Sequence, residues 1–151
     1  MYVRDIIITE ANLTESNLYE MHQYSDCFLS LSGGEPWSPH TIDAMAFGNT
    51  PIATSLGGVE SFLKDNGTLI GGGFECYKTP AETRSGPSLG KDYRLIPCHR
   101  EIRLAIRNAY NGWLKNPIKY TNDNRAKGLE KAKEFSLQSV GKIMKEELDN
   151  A

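Results

Sequence analysis

Two carboxylates, Glu35 and Asp43, stand on either side of a short stretch of chain that changes character twice. Ahead of them Leu29-Ser30-Leu31 reads as a buried strand, and Ser32-Gly33-Gly34 as a tight polar loop that carries Glu35. Behind them Ser38 is a favoured helix N-cap type, and Pro39 sits where a missing N–H costs nothing. A carboxylate accepts hydrogen bonds from two neighbouring hydroxyls, so Asp43 suits a diol. The free amides at the start of the Pro39 helix are a natural seat for a diphosphate. Strand, loop, carboxylate and helix start together make the layout of an anion or nucleotide site. Each residue also has a simpler reading: Glu35 caps local amides, Asp43 complements the helix dipole, Trp37 packs, and His40 lies on the helix surface.

The elements that must position this stretch follow from spacing. Val3–Thr9 is a short β-branched apolar run, expected as a strand. Thr14 can cap a helix carrying Leu18, Met21 and His22 to about Tyr24, with His22 on its edge or surface. Ile42, Met45 and Ala46 give the second helix one apolar stripe, Gly48 stops it, and Pro51-Ile52-Ala53-Thr54 opens another buried strand. Gly57-Gly58 turns into a short helix through Phe62 and Leu63, and Thr68-Leu69-Ile70 is a last brief strand. Four strand-like runs alternating with helices imply βαβ units and a parallel sheet, whose ligands sit beyond the carboxyl ends of the strands.

Residues 71–100 show no sustained period and read as a long loop or insertion. Helices follow at Glu101–Leu114, Tyr120–Phe135 and from Ser136 to about Leu148, with Asn116-Pro117 as the interruption. The expected organisation is one domain: a β/α core over 1–70, the insertion over 71–100, and a helical tail over 101–151.

The chain has 151 residues, 39% hydrophobic, with a net charge of -2. That balance gives no electrostatic reason to expect nucleic acid as a partner. No run is long and apolar enough for a membrane span, and the start lacks a signal-peptide layout, so the expected location is cytoplasmic. Cys27, Cys76 and Cys98 read first as reduced thiols; a Cys76–Cys98 bridge or a metal site with His99 are the alternatives. No G-x-G-x-x-G follows a strand, which removes a dinucleotide oxidoreductase.

The residues from Tyr19 to Asp26, Phe28–Ser32, Glu35-Pro36-Trp37, Asp43–Ala46, Gly48, Pro51–Thr54, Gly57-Gly58 and Glu60 resemble the C-terminal, donor-binding half of a GT-B glycosyltransferase of the retaining family-4 type. Helix Ile102–Tyr110 and the Phe135-Ser136 break are similar to that family's closing elements. The resemblance spans nearly the whole chain except 71–100. It implies a Rossmann-like parallel sheet, a partial C-terminal half of the GT-B fold with C-terminal helices.

It further implies transfer of a sugar from a nucleoside diphosphate sugar to an acceptor hydroxyl, with anomeric configuration retained and no obligatory metal. By position, Glu35 implies the residue near the donor sugar and reaction centre, and Asp43 the ribose ligand. Trp37, Ser38 and Pro39 stand where backbone amides approach sugar and diphosphate, and Gly57 and Gly58 form a turn bordering the donor. Two positions depart from the pattern, with Asp43 in place of glutamate and Ser38 in place of glycine. No Lys or Arg lies between Arg4 and Lys64, whereas the family holds its diphosphate with basic residues from an earlier part of the domain. The expectation is therefore an incomplete chain, inactive alone, with a missing N-terminal domain or partner half, an unidentified acceptor, and self-association through an exposed sheet edge. The complete enzyme could then be peripheral to a membrane. The alternative is a non-catalytic nucleotide-sugar-binding or interaction module.

Overall fold

The computed structural model describes residues 12–77 and 92–150. The expected strand at Val3–Thr9 and the middle of the expected insertion, 78–91, lie outside the described residues. The order of elements is α1 (Glu15–Gln23), β1 (Cys27–Ser30), α2 (Pro39–Phe47), β2 (Thr50–Thr54), α3 (Val59–Leu63), β3 (Thr68–Ile70), β4 (Gly72–Tyr77), β5 (Asp92–Pro97), α4 (His99–Lys115), α5 (Pro117–Glu134) and α6 (Leu137–Asp149).

β1, β2 and β3 form a parallel sheet in that order, with Leu29 beside Ile52 and Ala53 beside Leu69. The fold is α/β. Helices cover both faces of the central strand, because alternate residues of β2 point opposite ways. Ala53 joins Met45, Val59, Phe62 and Leu63 on the α2 and α3 side, while Ile52 joins Ile70 and Ala105 under α4.

Two of the caps read from sequence are present. Thr14 and Asn17 form a reciprocal capping box at α1, and Ser136 Oγ accepts from the Ser139 amide at α6. Asn116 ends α4, and its side chain starts α5 by accepting from the Lys119 amide.

Two expectations fail. β1 is not a buried strand: among the described residues it is the sheet edge, and Leu29 keeps 42% of its surface exposed. The segment 71–100 is not simply a loop, since β4 and β5 pair antiparallel, Phe74 opposite Leu95 and Glu75 opposite Arg94. Phe-Glu-Cys and Tyr-Arg-Leu alternate apolar with charged residues at period two, which is a strand signal. The glycines on one side and the Pro, Gly and Ser on the other obscure it.

Candidate functional site

The loops after β1 and β2 leave the same end of the sheet and lock together there. Thr54 Oγ1 donates to the Ser32 carbonyl (2.7 Å) and the Gly58 amide to the Pro36 carbonyl (2.8 Å). The approach is too close for side chains at the turn. A Cβ on Gly57 would lie 2.3 Å from the Glu35 carbonyl oxygen, and one on Gly58 would lie 2.2 Å from Trp37 Cε3. Gly57 also has φ of 73°, a backbone setting that favours glycine. The structure therefore brings Glu35, Trp37, Ser38, Gly57 and Gly58 into one constellation.

Ser38 differs from the N-cap expected of it. Its φ and ψ are 61° and 66°, left-handed, and its side chain makes no capping bond. It is the one non-glycine residue with positive φ among the described residues. Its hydroxyl instead shares a 2.8 Å hydrogen bond with Thr41 Oγ1, both side chains being buried. The cap comes from Glu35, whose Oε1 accepts from the Ser38 amide at 3.1 Å. A left-handed residue with a Cβ costs about 1–2 kcal/mol relative to a right-handed one. Glycine at 38 removes that strain but also the hydroxyl, whereas alanine loses the hydroxyl and keeps the strain. Ser38→Gly is thus expected to unfold at higher denaturant than Ser38→Ala, by about 1 kcal/mol, in paired urea titrations. Equal midpoints would show that the left-handed backbone is not held in solution.

The seat for a diphosphate is narrower than the sequence implies. The Ser38 amide is taken by Glu35, Pro39 has none, and the Thr41 amide donates to the Ser38 carbonyl at 3.1 Å. Of the amides from 38 to 41, this leaves at most that of His40. The Glu35 carboxylate itself occupies the helix start, the place where an anion is most favoured.

Asp43 faces elsewhere. It lines a cavity of about 510 Å³ between α1 and α2, together with Glu15, Tyr19, His22, His40 and Asn49 among others; Glu35 is not among its lining residues. Asn49 builds the floor by donating from Nδ2 to the His22 and Ser25 carbonyls, 2.7 Å each. The His22 ring stacks on Phe47 at 5.8 Å and tilts against Phe28, so it is a packed member of the wall. Tyr19 donates its hydroxyl to Glu15, and that hydrogen bond and charge, followed by desolvation and the Asp43 carboxylate, hold the phenol above its ordinary pKa. With two carboxylates and no Lys or Arg among the lining residues, the cavity repels phosphate and suits a neutral, hydroxyl-bearing group.

Trp37, whose backbone amide the resemblance sets toward the donor, uses its ring in packing. Its ring lies 5.4 Å from Phe62 and 5.2 Å from Phe135, with 39% of its surface exposed.

Sequence reasoning missed the ribbon's part in the site. The Leu95 amide donates to the Gly33 carbonyl at 2.8 Å, and a Cβ on Gly33 would meet Arg94 Cβ at 3.3 Å. A cation absent from the local sequence is thereby set beside the loop from about sixty residues downstream, with its guanidinium on Glu75 at 3.1 Å. Its signal was the charge alternation of β4 and β5. Of the cysteines, Cys27 has a thiol raised by desolvation and by Asp26, which favours the thiol over the thiolate. Among the described residues no group of His, Cys, Asp and Glu could hold a metal ion, and no helix is long and apolar enough to cross a membrane.

No protein-family model matches the chain, and no curated protein does.

Proposed function

We propose that this chain is the donor-binding region of a retaining glycosyltransferase, taking a nucleoside diphosphate sugar whose glycosyl group passes to an acceptor hydroxyl in the complete enzyme. The observation that carries the reading is the interlocked pair of loops at the carboxyl end of the parallel sheet. Gly57 and Gly58 hold residues 35–37 at backbone contact, and Ser38 is left-handed where the resembled family has glycine.

In this reading the nucleoside enters the cavity between α1 and α2, and Asp43 accepts from the ribose hydroxyls. The diphosphate passes the start of α2, where the His40 amide is left to donate to it beside the Glu35 carboxylate, and the sugar lies over Glu35. Glu35 positions the sugar and offsets positive charge developing at the anomeric carbon; the basic groups for the leaving diphosphate come from outside this core. The location expected for such a protein is cytoplasmic.

The test is donor binding by calorimetry or ligand-observed NMR with UDP-glucose and GDP-mannose. Weak binding is expected, with a loss of about 10-fold or more in Asp43→Ala and recovery in Asp43→Glu, because one hydrogen-bonded charged contact is worth about 1.5–3 kcal/mol. Binding that survives Asp43→Ala unchanged would remove the ribose assignment.

A second reading, a nucleotide-sugar-binding module without catalysis, is favoured by one observation. The Glu35 carboxylate is already engaged by the Ser38 amide. Slow donor hydrolysis that Glu35→Gln abolishes would decide for the enzyme.

A further inference from the structure

We propose that Phe135, at the corner between α5 and α6, is a positioning residue for the loop at 35–38; as a statement about donor binding it rests on the reading above. Phe135 lies nearly a hundred residues from that loop in sequence, yet its ring stands edge-on to Trp37 at 5.2 Å and 71°. Phe62 closes the triangle, 5.4 Å from Trp37 and 5.7 Å from Phe135, and is itself 1% exposed. Edge-to-face rings attract beyond the area they bury, and two ring contacts, to Phe62 and Phe135, restrain Trp37.

Phe135 can act as a fixed post because α5, which it ends, is anchored. It caps α5, its amide donating to the Ala132 carbonyl, and it immediately precedes the Ser136 cap of α6. α5 is held against α2 by Gly128, which leaves no room for a Cβ above the Met45 carbonyl, and against β2 by Asn124 Nδ2 donating to Thr50 Oγ1 at 2.7 Å. Trp37 passes the restraint on through the backbone. The next residue is the strained Ser38, whose amide carries Glu35. Gly57 and Gly58 confine the loop from one side, and Phe135 confines it from the other. Without the post, the Trp37 ring can swing into solvent, Ser38 can relax from its left-handed setting, and Glu35 loses its fixed place.

Hydrogen exchange on the full chain reads this directly. In Phe135→Ala the Ser38 amide is expected to exchange at least about tenfold faster relative to the Ile52 amide of β2, which reports the core. A residue serving only general stability would accelerate both together, and that result overturns the proposal. Should Phe135→Ala not fold, Phe135→Leu carries the same comparison with an effect of about threefold, since it keeps most of the volume and loses the ring edge.

The second measurement is affinity for UDP-glucose and GDP-mannose beside that for uridine and guanosine. Where the wild type binds the sugar nucleotides, Phe135→Ala is expected to weaken them about tenfold and the nucleosides less than twofold, because the Asp43 cavity stands apart from the post. Loosening of Ser38 with donor affinity intact overturns the positioning role. If the wild type binds neither sugar nucleotide while Ser38 still loosens in the variant, the donor reading fails and Phe135 keeps its hold on the loop.

Discussion

Replacing Gly128 by alanine is expected to lower the melting temperature by about 4–8 °C, although alanine is the better helix former. The position is in the body of α5, where glycine costs about 1 kcal/mol relative to alanine. Against that gain stands the packing. A Cβ there would lie 2.2 Å from the Met45 carbonyl oxygen, 2.9 Å from its carbon and 3.2 Å from its Cα. All three are backbone atoms of α2, and none can rotate away. α5 must therefore move off α2, which carries Ala44 and Met45 fully buried in the core. Overpacking of this kind costs about 1–3 kcal/mol and more where the obstacle is rigid, and for a chain of this length each kilocalorie moves the melting temperature by about 2–4 °C. Gly141 in α6 has nothing within 4 Å of its would-be Cβ, so Gly141→Ala is expected to be neutral or stabilising by up to about 1 kcal/mol. Thermal unfolding of the two variants side by side checks both; equal shifts would refute the packing account.

Gly57→Ala is the substitution expected to hurt the site most. Two costs coincide there: a positive φ of 73° and a Cβ 2.3 Å from the Glu35 carbonyl oxygen and 3.0 Å from that of Pro36. The left-handed setting alone costs about 1 kcal/mol, while the clash is with the very loop that carries Glu35, Trp37 and Ser38. Relief requires residues 35–37 to withdraw by an ångström or more, which takes the Glu35 contact away from the sugar. Sugar-nucleotide affinity is therefore expected to fall by about tenfold or more while the protein stays folded with a modestly lowered melting temperature. The same calorimetric titration used for Asp43→Ala reads it, and wild-type affinity in Gly57→Ala would show that this loop does not face the donor.

The two glycine positions show how far the sequence could be read. Gly57 announces itself, since two glycines between a β-branched strand and a helix mark a turn where backbones meet. Gly128 does not, because the polar run around it gives no sign that α2 lies above. The helices are legible, with the caps Thr14 and Ser136, as these are local chemistry; Asn116 reads only as an interruption, and the cap expected at Ser38 is not made. The parallel pairing of β1, β2 and β3, though not their order, follows from the alternation of strand and helix. Long-range placement was not legible. Arg94 beside Gly33, Phe135 against Trp37, and the separation of Asp43 from Glu35 all depend on elements distant in sequence or on which way a helix faces. The sequence offers Glu35 both as a ligand and as a local cap, and it makes the local cap.

The seating of α5 on α2 also sets a schedule for synthesis. Met45 and its carbonyl meet their wall only when Gly128 has been made, roughly 80 residues later. At about 5–20 residues per second this leaves the side of α2 that receives α5, with the Met45 carbonyl and Gly48, uncovered for about 4–16 s as the nascent chain emerges. During that interval α2 already packs its apolar side on β2 and α3, and the candidate site gains its last wall only on arrival of α5 and Phe135.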